Sequence, residues 1–306
     1  MNTTPRQTSA DDLGPDSVAV VGIPFDDFSS FLRGPAKAPP LIRQTLHNGS
    51  SNLFAENGVN LKGHPQFNDL GDLTLPEGQN AIAAIKTAVA EMADRNVRVL
   101  ALGGDHAITF PLVAPLMDAN ENLSILHFDA HPDLYPEFDG NRFSHACPFA
   151  RIMETGRVNK LVQVGIRGMN DLQRRQVDRF NVTCLEMKHI RTPLSIELEG
   201  PVYLSVDLDV LDPAYAPGVS HHEPGGMSTR DVIGLIQSIQ VPIIGADIVE
   251  YNPDRDVNGM TAAVAAKLLK EIAGVMLAQS VGYQFGLTTQ DRSTLQTGQK
   301  IPAEIR

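Results

Sequence analysis

The sequence predicts an α/β fold built around a parallel sheet, and three observations predict it. Short apolar, β-branched runs recur along the chain. Stretches with apolar residues at helical spacing lie between them. No linker rich in Gly, Ser or Pro, no internal repeat and no low-complexity block divides the chain, so one domain is expected. Strands alternating with helices pack as right-handed crossover units.

The runs are Val18–Gly22, Val97–Leu102, Leu123–Phe128, Leu161–Ile166, Val202–Val206 and Ile243–Ile248. Most are continuous rather than alternating, which suits strands buried on both faces of a parallel sheet. Gln79–Arg95 is Ala-rich, with Ile82, Ile85, Val89 and Met92 at helical spacing. Ser228–Gln240 opens on a capping residue and carries Val232, Leu235, Ile236 and Ile239 on one face. Thr261–Ala278 is long and apolar, which predicts a well-buried helix. These elements place the domain at residues 17–282, between a polar, disordered N-terminal tail (1–16) and a polar C-terminal tail (283–306).

The chain has 306 residues, 42% of them hydrophobic, enough for a large core. A formal net charge of −11 disfavours nucleic acid and anionic membrane as partners and suits a small cationic substrate. No apolar stretch approaches the ~18 residues of a membrane span. The first 16 residues carry Asp11, Asp12 and Asp16 and have neither an apolar run nor Arg-rich, acid-poor character. Two cysteines, Cys147 and Cys184, do not make a disulfide scaffold in a chain this long. A reducing cytoplasm is the expected compartment.

Chemistry concentrates where strands end. His127-Phe128-Asp129-Ala130-His131-Pro132-Asp133 follows an apolar run. Residues two apart on an extended chain share a face, so Asp129, His131 and Asp133 converge just beyond the strand. A solvated turn would need no His between the acids. His127 lies within the strand and is read as a core histidine with a hydrogen-bond partner. Asp207 and Asp209 repeat the spacing after Val202–Val206, and two carboxylates on one side repel unless a cation lies between them. Asp212 is read as a turn cap. Gly103-Gly104-Asp105-His106 follows a third run, its glycines allowing a sharp exit and close backbone approach. All three segments leave predicted strand C-termini, the edge at which open α/β sheets bind ligands.

Four carboxylates (Asp129, Asp133, Asp207, Asp209) and two imidazoles (His106, His131) exceed what one catalytic metal with an open position uses. They fit two divalent ions sharing bridging carboxylates. Oxygen-rich coordination with some imidazole suits Mn²⁺, with Ni²⁺, Co²⁺ and Zn²⁺ as alternatives. Four carboxylates, two divalent ions and a hydroxide sum to about minus one, which attracts a cation.

These motifs resemble the ureohydrolase family of arginases, agmatinases and related guanidino hydrolases. The matching pieces are GGDHAIT at Gly103–Thr109, DAHPD at Asp129–Asp133, SHACPFAR at Ser144–Arg151, SVDLDVLDPAYAPG at Ser205–Gly218, EPGG at Glu223–Gly226 and DIVEYNP at Asp247–Pro253. SSFLRGPAKAPP and DVNGMTAAVAAKL give the chain a plant-arginase look within the family. The resemblance implies a three-layer α/β/α fold, a homotrimer or homohexamer, and two Mn²⁺ per chain, with Ni²⁺ or Co²⁺ as alternatives. It implies His106, Asp129, Asp133 and Asp207 on one metal and His131, Asp209, Asp129 and Asp207 on the other. His145 matches a proton-shuttle histidine and Glu250 the carboxylate that grips the guanidinium, and with Asp133 they form the expected catalytic set.

The implied reaction is hydrolysis of a small cationic guanidino compound, arginine first, to urea and an amine. Agmatine, guanidinobutyrate-like acids and guanidine itself stay open. Animal-type arginases read the amino-acid head with an Asn after DAHxD and acids after a later Gly-x-Arg. Here Tyr135 and Gly168-Met169-Asn170-Asp171 occupy those places. Asn141, Ser144 and Asp171 are expected to build a different head-group site. His221 and His222 are expected to line the pocket, and His221, Asn141, Ser144 and Glu250 to contact substrate. Two rivals stand beside this reading: a zinc deacetylase of related fold with one metal, and a non-catalytic subunit that keeps the fold for assembly. All six ligand-type residues are present, which opposes both.

Overall fold

The computed structural model describes residues 13–191 and 194–279. Its strands are β1 (Val18–Gly22), β2 (Phe67–Asp72), β3 (Arg98–Leu102), β4 (Ser124–Phe128), β5 (Lys160–Ile166), β6 (Thr183–Glu186), β7 (Val202–Asp207) and β8 (Ile243–Val249). They form one sheet in the order β2-β1-β3-β8-β7-β4-β5-β6. Every pairing is parallel. The six expected runs are the six inner strands, each within a residue of its expected ends. The two strands the sequence did not show, β2 and β6, are the edges. There one face meets less protein, and FNDLGD and TCLE need no continuous apolar run.

The helices are α1 (Ala38–His47), α2 (Gln79–Ala93), α3 (Thr109–Ala119), α4 (Pro148–Glu154), α5 (Asp171–Arg179), α6 (Thr229–Gln237) and α7 (Met260–Ala278). Alternate residues of each inner strand feed opposite cores. Val18, Val20, Leu100 and Leu102 pack with Ile42 of α1, Ile236 of α6 and Leu269 of α7. Ala19, Val21, Val99 and Ala101 pack with Ile85 of α2, Leu112 of α3 and Phe149 of α4. Helix, sheet and helix therefore form three layers. α6 is capped by Ser228, whose hydroxyl accepts from Asp231 N while Asp231 returns a bond to the Ser228 amide. The helix expected over Gln79–Arg95 ends at Ala93, and Asn96 at φ +62° turns the chain toward β3.

Residues 1–12 of the expected N-terminal tail, and the last three domain residues with the whole expected C-terminal tail (280–306), lie outside the described residues. Of residues 13–16, Gly14 and Pro15 are exposed, and the half-buried Leu13 lies on the α2–α3 side. Asp16 N donates to Asn96 O at 2.9 Å, and Asp16 O accepts from the buried Arg98 guanidinium at 3.0 Å. Among the described residues no helix is long and apolar enough to cross a membrane.

The strand order positions the site. β3, β8, β7 and β4 are neighbours at the centre of the sheet. Being parallel, they end on the same edge, so the segments that follow them meet.

Candidate metal centre

His106 opens the short 3-10 turn after β3, and the Asp105 carboxylate caps that turn by accepting from Ala107 N at 3.1 Å. The glycines before it are needed for space. A Cβ on Gly104 would lie 1.7 Å from the Phe25 carbonyl oxygen. Asp129, His131 and Asp133 follow β4; Asp207 ends β7, and Asp209 sits in the next 3-10 turn. His106 and the four carboxylates are buried, and His131 is half-buried. All six gather at one place. His106 Nδ1 lies 3.2 Å from Asp129 Oδ2, 3.0 Å from Asp133 Oδ2 and 3.3 Å from Asp207 Oδ2. His131 Nδ1 lies 3.0 Å from Asp209 Oδ2 and 3.5 Å from Asp129 Oδ1. Asp129 thus belongs to both groups.

The protons around His106 identify what the cluster is built to hold. Tyr203 Oη and Thr109 Oγ1 donate to Asp247 Oδ2 at 2.7 and 2.8 Å, and Ser205 Oγ donates to Asp247 Oδ1 at 2.7 Å. Ser205 has one hydroxyl proton, and Asp247 takes it. Ser205 Oγ must therefore accept from His106 Nε2, 2.9 Å away. A neutral His106 then presents a bare lone pair at Nδ1 to three carboxylates. That buried Nδ1 has no hydrogen-bond partner among the described residues. A lone pair converging with carboxylate oxygens is a donor set for a cation.

His127 supports Asp129 from below. Gln163 Nε2 donates to Pro132 O at 2.6 Å and to His127 Nδ1 at 3.0 Å. His127 Nε2–H is left to donate to Asp129 Oδ2 at 2.7 Å. His127, His106 and Asp129 lie close enough together to resemble a metal triad. Both His127 nitrogens are committed, however, so it acts as the core histidine expected from its place in the strand. Asp129, His131 and Asp209 form a second close triad.

Charge tells the same story. Burial, then the charges of Asp209 and Asp129, pushes the Asp207 carboxyl well above its ordinary range. Burial and Asp129 likewise raise Asp209. Burial opposes ionisation of Asp129, but His127, His106 and His131 hold it well below its ordinary value. Burial lowers His106 and His131, yet the carboxylates around them raise both well above the usual imidazole range. Such a set repels itself unless cations or protons join it.

Glu250 follows β8 at φ +65°, a left-handed position unusual for a non-glycine residue. Its Oε1 accepts from His106 N at 2.9 Å and from His145 Nδ1 at 2.8 Å. Both bonds fall on Oε1, so Oε2 is free of protein hydrogen bonds among the described residues. Burial opposes the Glu250 charge, but His145 outweighs it and lowers the carboxyl pKa. Burial lowers His145, and Glu250, Asp105 and Asp133 raise it further, to about 9.

The His221 ring lies 6.0 Å from His131, 5.5 Å from His145 and 5.5 Å from Phe31, which places it beside the ligand cluster. His222 does not lie there: it is exposed and bonds the Pro217 carbonyl at 2.7 Å, so the expectation that it lines the pocket is corrected. One residue along the loop, its side chain points to the other side. Asn141 Oδ1 accepts from Phe143 N at 2.8 Å, and Ser144 Oγ accepts from Ala146 N at 3.4 Å. These bonds shape the loop that delivers His145. Asp171 is exposed at the first position of α5, with Asn170 as its cap. Asp212 caps its turn as expected, accepting from Ala214 N at 2.9 Å and Gly225 N at 2.7 Å.

Sequence reasoning missed the supporting polar residues Ser205, Asp247 and Gln163. A signal was present, because each is a polar residue inside an otherwise apolar strand.

The Arginase family model matches residues 16–274, most of the chain. The chain belongs to the arginase family. Arginase 1, mitochondrial, of Arabidopsis thaliana is 45% identical over 274 residues, covering 84% of this chain and 80% of that protein. Arginase 2, chloroplastic/mitochondrial, of the same plant is 42% identical over 278 residues, covering 85% and 80%. The solved arginase from Medicago truncatula superposes with a TM-score of 0.81 at 42% identity, covering 85% of this chain and 87% of that one. The arginase-family chain is thus a ureohydrolase with the fold the resemblance implied.

One expectation falls at this point. The chain was read as cytoplasmic, but the plant arginases it matches are named mitochondrial or chloroplastic/mitochondrial. The physical reason is that Cys147 and Cys184, both free thiols, speak only to a reducing environment and do not choose between reducing compartments.

Proposed function

We propose that this ureohydrolase splits arginine to ornithine and urea at a pair of divalent ions, Mn²⁺ by preference. The observation that carries the reading is the His106 lone pair fixed toward Asp129, Asp133 and Asp207, beside the second group of His131 and Asp209. Those residues fit the metals. His106, Asp129, Asp133 and Asp207 would hold one, and His131 and Asp209 the other, with Asp129 and Asp207 shared. Bound there, the ions supply a water acidified enough to serve as hydroxide near neutral pH.

The chain's own groups do the rest. Glu250 Oε2 takes a guanidinium N–H and orients the planar cation. Oε1 is already used twice, so a two-oxygen grip would require His145 to give up its bond. His145, held as the imidazolium by Glu250 at Nδ1, protonates the departing amine. Asp133 lies 3.0 Å from His106 Nδ1 and its charge acts on His145, which suits a role in orienting the attacking water. Substrate-tail contacts are assigned to Asn141, Ser144 and His221. Tyr135 and Asn170 bond each other at 2.5 Å, which supports a head-group site unlike the animal one.

The catalytic domain is proposed to span residues 17–282 and to assemble as a homotrimer or homohexamer, which sedimentation would test. Urea release from arginine, agmatine, guanidinobutyrate and guanidine after Mn²⁺ or Ni²⁺ loading tests the substrate. A metal count on the same sample tests the centre. About two ions per chain is expected. One would favour the deacetylase chemistry, and none the non-catalytic subunit. A higher kcat/KM for agmatine than for arginine would overturn the substrate assignment.

A further inference from the structure

Residues 25–36, whose second half opens the SSFLRGPAKAPP stretch, form a loop beside His145. It is firmly held. The Asp26 carboxylate accepts from Gly34 N at 2.7 Å, Ala36 N at 3.2 Å and Arg33 Nη2 at 2.7 Å. Ser220 Oγ donates to Leu32 O at 3.0 Å, and Asn252 Nδ2 donates to Arg33 O at 3.3 Å. Phe28 N and Ser29 Oγ donate to Asp105 Oδ2 at 3.0 and 3.2 Å. This bracing fixes the residue at the tip, Ser30. Its amide N lies 3.1 Å and its hydroxyl 2.7 Å from His145 Nε2.

His145 is therefore held at both nitrogens, Nδ1 by Glu250 and Nε2 by Ser30. His145 is buried, while Ser30 is exposed. A neutral imidazole with its proton on Nδ1 offers a lone pair at Nε2, which the Ser30 N–H and O–H can fill. An imidazolium carries a proton on Nε2, which only the Ser30 oxygen can accept. A hydroxyl does both, because it donates one proton and accepts others. A backbone amide or a methyl group cannot.

We propose that Ser30 is the positioning residue of the His145 shuttle and the step through which its proton is replaced from solvent. The proposal rests on the shuttle reading of His145. The imidazolium gives its Nε2 proton to the departing amine and is left as the neutral Nδ1–H form that Glu250 holds. The Ser30 O–H proton then moves to Nε2, and a solvent water returns a proton to the Ser30 oxygen, which restores the imidazolium. The hydroxide left takes up the proton released as the attacking water ionises. Each O–H or N–H bond broken is matched by one formed, with water as the proton source. The titratable groups facing His145 are Glu250 after β8, Asp105 after β3, Asp133 after β4 and the His221 ring 5.5 Å away.

The test uses the metal-loaded enzyme and the variants Ser30→Ala, Ser30→Thr, His145→Asn and the double variant Ser30→Ala/His145→Asn. Ser30→Ala should lower kcat about ten-fold, a fraction of the ~10²–10⁴-fold that general acid–base help supplies. KM and metal content should stay near wild type, and the pH profile of kcat should shift. Ser30→Thr, which keeps the hydroxyl, should restore most of the rate. In the His145→Asn background, removing Ser30 should cost nothing more, because the two act as a unit. A normal rate and pH profile in Ser30→Ala beside a crippled His145→Asn would overturn the role of Ser30 alone. Equal losses from Ser30→Ala with and without His145 would also overturn it. A normal rate in His145→Asn would overturn the shuttle itself, and this proposal with it.

Discussion

Replacing Glu250 with Gln isolates one oxygen. In the wild type, Oε1 accepts from His106 N at 2.9 Å and from His145 Nδ1 at 2.8 Å. A Gln placed with its carbonyl oxygen there keeps both acceptor positions, so His106 and the metal cluster should hold their places. What changes is the second position, where a free carboxylate oxygen becomes an NH2 group facing the N–H donors of a guanidinium. A hydrogen bond to a charged group contributes ~1.5–3 kcal/mol. Its loss predicts a fall in kcat/KM of about 10- to 150-fold at neutral pH. A second effect follows from charge. Burial lowers the His145 pKa, while Glu250 leads the carboxylates that raise it to about 9. Without the Glu250 charge, His145 should lose its proton at lower pH. If the protonated form serves as acid, the alkaline limb of the kcat/KM profile moves toward neutrality. Steady-state urea release across pH, with a metal count and a melting curve on each sample, measures all of this. Near-normal kcat/KM in the variant would refute the grip by Oε2. Metal lost in step with activity would refute the separation of Glu250 from the ligand set.

Three further outcomes are expected. Asp207→Ala should remove metal and activity together, a loss of at least ~10–100-fold by analogy with weaker disturbances of ligand shells; two retained equivalents with normal urea release would contradict the shared-carboxylate centre. His145→Asn should keep its metals and lose about 10²–10⁴-fold in kcat, with partial recovery by added imidazole; an unaltered rate across pH returns His145 to a packing role. Gly104→Ala should destabilise the fold by at least ~1–3 kcal/mol, since its Cβ would lie 1.7 Å from the Phe25 carbonyl oxygen, and melting temperature should fall together with metal affinity. An unchanged melting temperature would show that the Phe25 backbone yields more readily than this close approach implies.

Legibility in the sequence followed burial. The inner strands were readable because each faces protein on both sides, so a run such as SILHF or IIGADIV is mostly apolar. The edge strand β2, FNDLGD, carries polar residues that a half-exposed position tolerates, and nothing in its pattern marks it. α3 was unreadable for another reason. It contains Pro115 in its interior, which local preference sets against a helix, and packing of Leu112, Val113 and Leu116 overrides that preference. At the site, Asp129, His131 and Asp133 were legible from ligand-type residues spaced just beyond a strand, although the chain is no longer extended there: β4 ends at Phe128 and Asp133 has φ +49°. Ser30 was not, because it reaches His145 across 115 residues of sequence from a loop that carries no ligand of its own.

The sequence by itself determined which side chains stand at strand ends and which strands are buried on both faces. Both follow from local spacing and hydropathy. Only the tertiary structure decided that β3, β8, β7 and β4 are neighbours, because strand order depends on how the crossover helices pack and not on any single segment. That order brings His106, Glu250, Asp207 and Asp129 to one edge. It also places Ser205 between His106 and Asp247, which fixes the proton on Nε2 and leaves the Nδ1 lone pair for a metal. A tautomer is set by its hydrogen-bond partners in space, and no spacing along the chain specifies it.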